Sequence, residues 1–203
     1  EIIEKDSQSS TDRAGALAAQ LITKNKVDLL LIQDSLSSIT AADQAELNGV
    51  PAVSTMMPWQ AWMFPRKGDP KVGFEWSYHF FWGLEDVVGA YKEIWASVKT
   101  NKKIGGIYSA DPGGEAFGSE EFGVPALAKQ IGYGHVSTGK FQEGVADFSP
   151  QIGKFKTEGV EIVSVHAHVP DFTTFWSQSA QQKFQPKVVT VAAALLFPAG
   201  LNA

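Results

Sequence analysis

Apolar residues in the first part of the chain switch between two spacings. Residues 1–5 read as a strand, and Ser9, Ser10, Thr11 and Asp12 then place hydroxyls and an acid where a helix begins. Ala14, Leu17, Ala18, Leu21 and Ile22 follow at helical intervals. Residues 27–32 are apolar except for Asp28, which predicts a strand buried on both faces. Residues 37–48 carry Ala41, Ala42, Ala45 and Leu47 and stop at Gly49, and residues 50–54 form another short apolar run. Strand and helix alternate, which predicts a parallel sheet with crossover helices.

The rhythm breaks at residues 55–71, where Pro58, Pro65, Gly68 and Pro70 predict a long loop of the kind that usually serves function. After a predicted strand at 76–82, the pattern restarts with a helix over 84–99 that carries Val87, Val88, Tyr91, Ile94, Trp95 and Val98 on one face. Strands are predicted at 103–108, 134–138, 161–167 and 188–194. Helices are predicted at 119–130, around 152–155 and at 172–183. Two αβ blocks result, 1–83 and 84–203, meeting near Gly83.

Composition narrows the function. With 17 Lys+Arg against 22 Asp+Glu the formal net charge is −5, and no basic run offers the face that nucleic acid needs. The absence of cysteine excludes disulfides, thiol catalysis and thiolate zinc sites. No apolar run reaches the ~18 residues of a membrane span. Glu1-Ile2-Ile3-Glu4 shows neither the basic nor the apolar segment of a secretory signal. Six Trp and 13 Phe are unevenly placed: Trp59, Trp62, Phe64, Trp76, Phe80, Phe81 and Trp82 cluster as core, ligand wall or interface.

Three segments carry candidate chemistry. Asp111 to Gly118, between a strand and a helix, reads as a glycine-bearing loop that permits close backbone approach. It has neither the P-loop lysine nor dinucleotide spacing, and an ordinary turn explains it as well. His166-Ala167-His168, with Asp171 nearby, offers two imidazoles but no third ligand at a recognised metal spacing, so a strand-end hydrogen-bonding role and no metal are expected. Ser35, Ser37, Ser38 and Thr40 put hydroxyls at a helix start, suited to a carboxylate and equally to simple capping. Nucleophilic catalysis lacks a Gly-x-Ser-x-Gly elbow, and the carboxylate pairs Glu85/Asp86 and Glu120/Glu121 sit where helix dipoles account for them. The residues favour binding over turnover, with no cofactor.

The motif order resembles the periplasmic type I substrate-binding proteins of ABC importers, the branched-chain amino-acid (Leu/Ile/Val) group most of all. The resemblance rests on Val27-Asp28-Leu29-Leu30-Leu31-Ile32, Ser37-Ser38-Ile39-Thr40-Ala41-Ala42 and Asn48-Gly49-Val50-Pro51-Ala52-Val53-Ser54. In the second block it rests on Lys103-Ile104-Gly105-Gly106-Ile107-Tyr108, the segment from Asp111 to Gly118, and Val145-Ala146-Asp147-Phe148-Ser149-Pro150. It covers nearly the whole chain.

The resemblance implies an α/β fold of two Rossmann-like lobes with parallel sheets, 1–83 forming part of lobe one and 84–203 most of lobe two. The lobes would close on a small solute, which an inner-membrane ABC permease then accepts, and the location would be periplasmic. Lobe one would hold a carboxylate with Ser35 and either Ser37 or Ser38, with a second loop running from Ser54 through Thr55 to Met57. Lobe two would supply the loop opened by Asp111, the aromatic Phe117, and His168 at the end of the next strand. Trp59 and Trp62 would extend the wall.

Two departures stand out. The acid that grips an amino group in amino-acid binders falls near Ala193 or Ala194, which opens the way to aromatic or aliphatic carboxylates or amides, and Phe replaces the expected Tyr at 117. The family's chains are also longer, so the sequence is expected to be a fragment with uncovered sheet edges and apolar faces that favour self-association. A ligand-sensing receptor or regulator domain of the same fold is the alternative function.

Overall fold

The computed structural model describes residues 1–8, 10–33, 38–196 and 198–201, divided into two compact units, Glu1–Gly83 and Leu84–Ala203. In the first unit Ser10 is the N-cap of α1 (Thr11–Thr23), its hydroxyl accepting from the Arg13 N–H at 3.3 Å. There follow β1 (Leu30–Ile32), α2 (Ser38–Asn48), β2 (Ala52–Ser54), α3 (Trp59–Met63) and β3 (Ser77–His79). The strands form a parallel sheet in the order β1-β2-β3. Ala18 and Ile22 of α1 meet Ala41 and Ala45 of α2 in a core that also takes in Leu30 and Ala52. Small side chains here let helix and sheet approach closely.

Three expectations for this unit need correction. Residues 1–5 have no regular structure, and Ile2 lies open to solvent; a strand exists only by pairing, and these residues pair with none among those described. Residues 27–32 are not buried on both faces. Leu31, Val53 and Tyr78 share one row across the sheet, and that row is exposed, Leu31 by 74% and Tyr78 by 57%. The long loop also contains a helix, α3, which begins after Pro58, a residue suited to a helix start.

The second unit contains α4 (Leu84–Ala96), β4 (Lys103–Ser109), α5 (Pro112–Phe117), α6 (Val124–Gln130) and β5 (Gly134–Phe141). It continues through α7 (Ser149–Glu158), β6 (Ile162–Ala167), α8 (Val169–Gln181), β7 (Val188–Ala193) and α9 (Pro198–Leu201). Its four-stranded parallel sheet runs β5-β4-β6-β7. One face packs Ile107, Val163, Val165 and Ala167 against Phe148, Ile152, Phe155 and Phe175. On the other, fully buried Trp95 donates from Nε1 to Thr190 Oγ1 at 3.3 Å. Coverage of both faces is why every residue of β4 after Lys103, and every residue of β6, is buried.

Two boundaries differ from the sequence reading. The Asp111–Gly118 segment is largely helix α5 rather than loop. The helix expected over 119–130 starts at Val124, because Pro125 lacks an N–H and is tolerated only in a first helical turn. Among the described residues no helix is long and apolar enough to cross a membrane.

Candidate functional site

In the second unit the chain goes from β4 to β5 on one side of β4 and then to β6 on the other. Such a reversal opens a crevice at the carboxyl ends of the two central strands, where open α/β sheets bind ligands. Three polar side chains gather at these ends: Asp111 just beyond β4, Glu143 just beyond β5 and His168 just beyond β6. His168 Nε2 lies 3.6 Å from Asp111 Oδ2 and 3.4 Å from Glu143 Oε1. These are ion-pair separations, longer than the usual charge-assisted hydrogen bond, and Nε2 itself is shielded from solvent.

Local sequence fixes Asp111 in place. It is the N-cap of α5, accepting the Gly114 N–H at 2.8 Å, with Pro112 in the first turn. Its other oxygen accepts the Ser109 hydroxyl. The glycines at 113 and 114 are required by close approach: a Cβ on Gly114 would run into the Ser109 carbonyl, and one on Gly113 into the His166 ring. Because the Ser109 proton goes to a carboxylate, Ser109 Oγ can only accept from His166 Nδ1, 3.0 Å away, which sets that imidazole's tautomer. Ser109, His166 and Asp111 thus comprise the residue types of a nucleophilic triad, but Ser109 is completely buried and its proton points away from the imidazole. Within this trio, Ser109 is therefore neither accessible nor activated by the imidazole.

Protonation follows from these contacts. Burial works against ionising Asp111, but His168, the charge of His166, the Ser109 hydroxyl and the Gly114 N–H outweigh it and hold the carboxyl well below the usual carboxylate range. Burial lowers His166 to about 4 in spite of Asp111. Asp111 raises His168 against the effect of burial, aided by Glu143 and Asp171. Phe117 packs its ring 5.0 Å from that of His166 and 6.4 Å from Tyr91, forming an apolar flank beside the polar cluster.

In the first unit, Ser54 and Thr55 stand at the carboxyl end of β2. His79 Nε2 is 2.7 Å from the Met57 carbonyl, which can only accept, so Nδ1 accepts the Ser54 hydroxyl at 2.8 Å. Thr55 Oγ1 donates to the Phe80 carbonyl at 2.8 Å. Ser38, at the start of α2, is buried and donates to Met57 Sδ at 3.5 Å. Met56, with φ +79°, holds a left-handed conformation in this loop. Trp59 opens α3 with its ring edge-on to Phe64. Trp62, expected as ligand wall, is core instead: His79 stacks on it and the Arg66 guanidinium lies over it, 4.3 Å from the ring centroid. Ser35 and Ser37 lie outside the described residues.

The structure therefore brings Asp111 together with His168, Phe117 with His166, and Ser38 and Ser54 with the Met57–His79 pair. Sequence reasoning missed Glu143 and His79. Ending β5 at Phe141, not at 138, brings Glu143 to a strand end, where the same rule that selected His168 selects it.

A parallel α/β unit with polar and aromatic side chains gathered at a reversal of strand order is built as a small-molecule binding fold. The chain belongs to the periplasmic binding protein family, whose model matches residues 1–203. A comparison with curated proteins returned no match. Among solved structures it is similar to the leucine binding protein LivK of Thermotoga maritima, at TM-score 0.74 and 20% identity over 94% of this chain and 51% of that one. A type 1 periplasmic binding protein of Bordetella pertussis matches at TM-score 0.74 and 16% identity, over 92% of this chain and 49% of that one. A Rhodopseudomonas palustris ABC-transporter solute binding protein, in complex with 3,4-dihydroxybenzoic acid, matches at TM-score 0.62 and 20% identity over 94% and 50%. These likenesses establish the fold as that of type I periplasmic binding proteins, and the chain spans about half the length of these structures.

Proposed function

We propose that this chain acts as an extracytoplasmic solute-binding component of an ABC importer, periplasmic in location and presenting its solute to an inner-membrane permease. The solute is a small carboxylate-type molecule: a branched-chain or other amino acid, or an aromatic or aliphatic acid. The observation that carries this reading is the gathering of Asp111, His168 and Glu143 at the strand reversal, flanked by Phe117, in a chain of this family. Binding without turnover is supported by the buried, committed state of Ser109.

Ser38, Ser54, Thr55, Met57 and Trp59 are the residues of the first unit proposed to meet the solute, with Ser35 and Ser37 beside them in sequence. Their hydroxyls already hold partners within the protein, so a solute carboxylate would exchange partners with them rather than meet free donors. The alternatives to an α-ammonium solute, argued from Ala193 and Ala194, gain a counterweight in Asp111 and Glu143, two carboxylates suited to a cationic group.

Isothermal titration of the full natural polypeptide with isoleucine, leucine, valine, 4-hydroxybenzoate and 3,4-dihydroxybenzoate tests this. Saturable one-to-one binding of one class, weakened by Phe117→Ala and His168→Ala, is expected. Chemical conversion of the bound compound would overturn the reading.

A further inference from the structure

The geometry points to a divalent metal site, best matched to zinc, formed by Asp111, Glu143 and His168 at the carboxyl ends of β4, β5 and β6. It goes beyond the solute-binding reading and does not depend on it. The donors are of the right kinds: an imidazole nitrogen and two carboxylate oxygens, all within 4.8 Å of one another.

Their spacing carries the argument. Oxygen and nitrogen ligands at about 2.0–2.2 Å from a tetrahedral zinc stand about 3.3–3.6 Å from each other. His168 Nε2 lies 3.4 Å from Glu143 and 3.6 Å from Asp111. A proton shared between His168 and either carboxylate would draw that pair to about 2.7–2.9 Å, and neither of these two separations is that short.

A second observation concerns His168 itself. Its Nε2 is shielded from solvent and faces a carboxylate oxygen on each side at ion-pair distance, the arrangement of three ligand atoms turned towards one point. The support behind the ligands is also in place. Ser109 and the Gly114 N–H hold the Asp111 carboxylate, as outer-shell partners hold metal ligands elsewhere. Three protein ligands leave a fourth position for water or a solute oxygen. His166 is not among the ligands: its Nδ1 is spent on Ser109 and stands 3.9 Å from Asp111. The site was not legible as a metal motif because its ligands follow three different strands, 32 and 25 positions apart in sequence.

The test is zinc binding by the chelator-stripped natural polypeptide, followed by competition with a chromophoric indicator at pH 7.5. One zinc per chain is expected. Asp111→Asn, Glu143→Gln and His168→Ala should each weaken it by about 100-fold, the upper end of what losing a supporting outer-shell partner costs. Asp111→Asn keeps an N-cap acceptor, so its loss of zinc is not a loss of fold. His135→Ala, outside the cluster, should leave the affinity unchanged. Cobalt in place of zinc should give the intense visible bands of a tetrahedral centre. No stoichiometric zinc, zinc that survives any one of the three substitutions, or weak octahedral cobalt bands would overturn the assignment.

Discussion

His166 and His168 stand two residues apart, their rings 6.3 Å centre to centre and nearly perpendicular, yet the protein drives their protonation in opposite directions. His166 is the last but one residue of β6, buried beneath Phe117, and burial lowers it to about 4. His168 lies past the strand end, where Asp111 foremost, then Glu143 and Asp171, raise it above the usual 6.5.

The two imidazoles should therefore titrate separately, which carbon–proton NMR of the rings resolves in chelator-treated protein. At pH 6 His166 is expected neutral and His168 charged. Stability follows with opposite signs. The His166 contribution is complete above 6.5 and falls as pH drops towards 4, because the unfolded chain takes a proton that the folded one refuses. The His168 contribution is complete below 6.5 and is lost as pH rises through its raised value. His166→Asn should flatten the loss of stability between pH 6.5 and 4, and His168→Asn should not.

Gly113→Ala and Gly114→Ala should differ in cost. The added methyl at 114 meets the Ser109 carbonyl, which is backbone and cannot yield, whereas at 113 it meets the His166 ring. Urea unfolding should show a loss of about 3 kcal/mol for Gly114→Ala and about 1–2 kcal/mol for Gly113→Ala, within the range of overpacking costs. Equal and negligible losses would contradict the close approach.

Glu46 of α2 organises β3. Its carboxylate accepts from the N–H groups of Glu75, Trp76 and Ser77 at 2.8, 3.1 and 3.0 Å, and from the Ser77 hydroxyl at 2.9 Å. Ser77 also accepts from Arg66 Nη2 at 2.9 Å. Glu46→Ala leaves these donors without their acceptor and should cost about 2 kcal/mol in chemical unfolding, with Glu46→Gln costing less. Burial opposes ionisation of Glu46, but the four donors prevail and lower its pKa, so its stabilisation is present above the ordinary carboxylate range and lost as pH falls below it.

The row Leu31, Val53 and Tyr78 on the first unit's sheet should make this 203-residue chain, prepared alone, associate with itself. Sedimentation velocity should show mass rising with concentration, and Leu31→Lys with Tyr78→Lys should return it to a monomer. A monomer at all concentrations would contradict the role of this face.

How much of this was legible in the sequence depended on burial. The β4 and β6 runs stood out because helices cover both faces of those strands, and Ser10 and Gly49 marked helix ends through local chemistry alone. Residues 1–5 have strand-like side chains, but pairing is a tertiary event, and among the described residues they have no strand partner. Asp111-Pro112 is an N-cap and first-turn signal; the two glycines that follow, unfavourable in a helix, made α5 read as loop until their contacts with Ser109 and His166 explained them.

Glu143 stayed hidden for a different reason. It follows an edge strand, β5, whose side chains His135, Ser137, Lys140 and their neighbours are mostly polar and part-exposed, so no apolar run marks where the strand ends. His79 was hidden in turn because its partners, Ser54 and the Met57 carbonyl, come from 25 and 22 positions away.

The most direct test of the central claim is native mass spectrometry of the full natural polypeptide, titrated with the amino acids and benzoates named above and repeated under denaturing conditions. The account predicts one small organic molecule per chain, saturable, unchanged in mass and lost on denaturation. Absence of binding across the whole panel, or release of a molecule altered in mass, would contradict it.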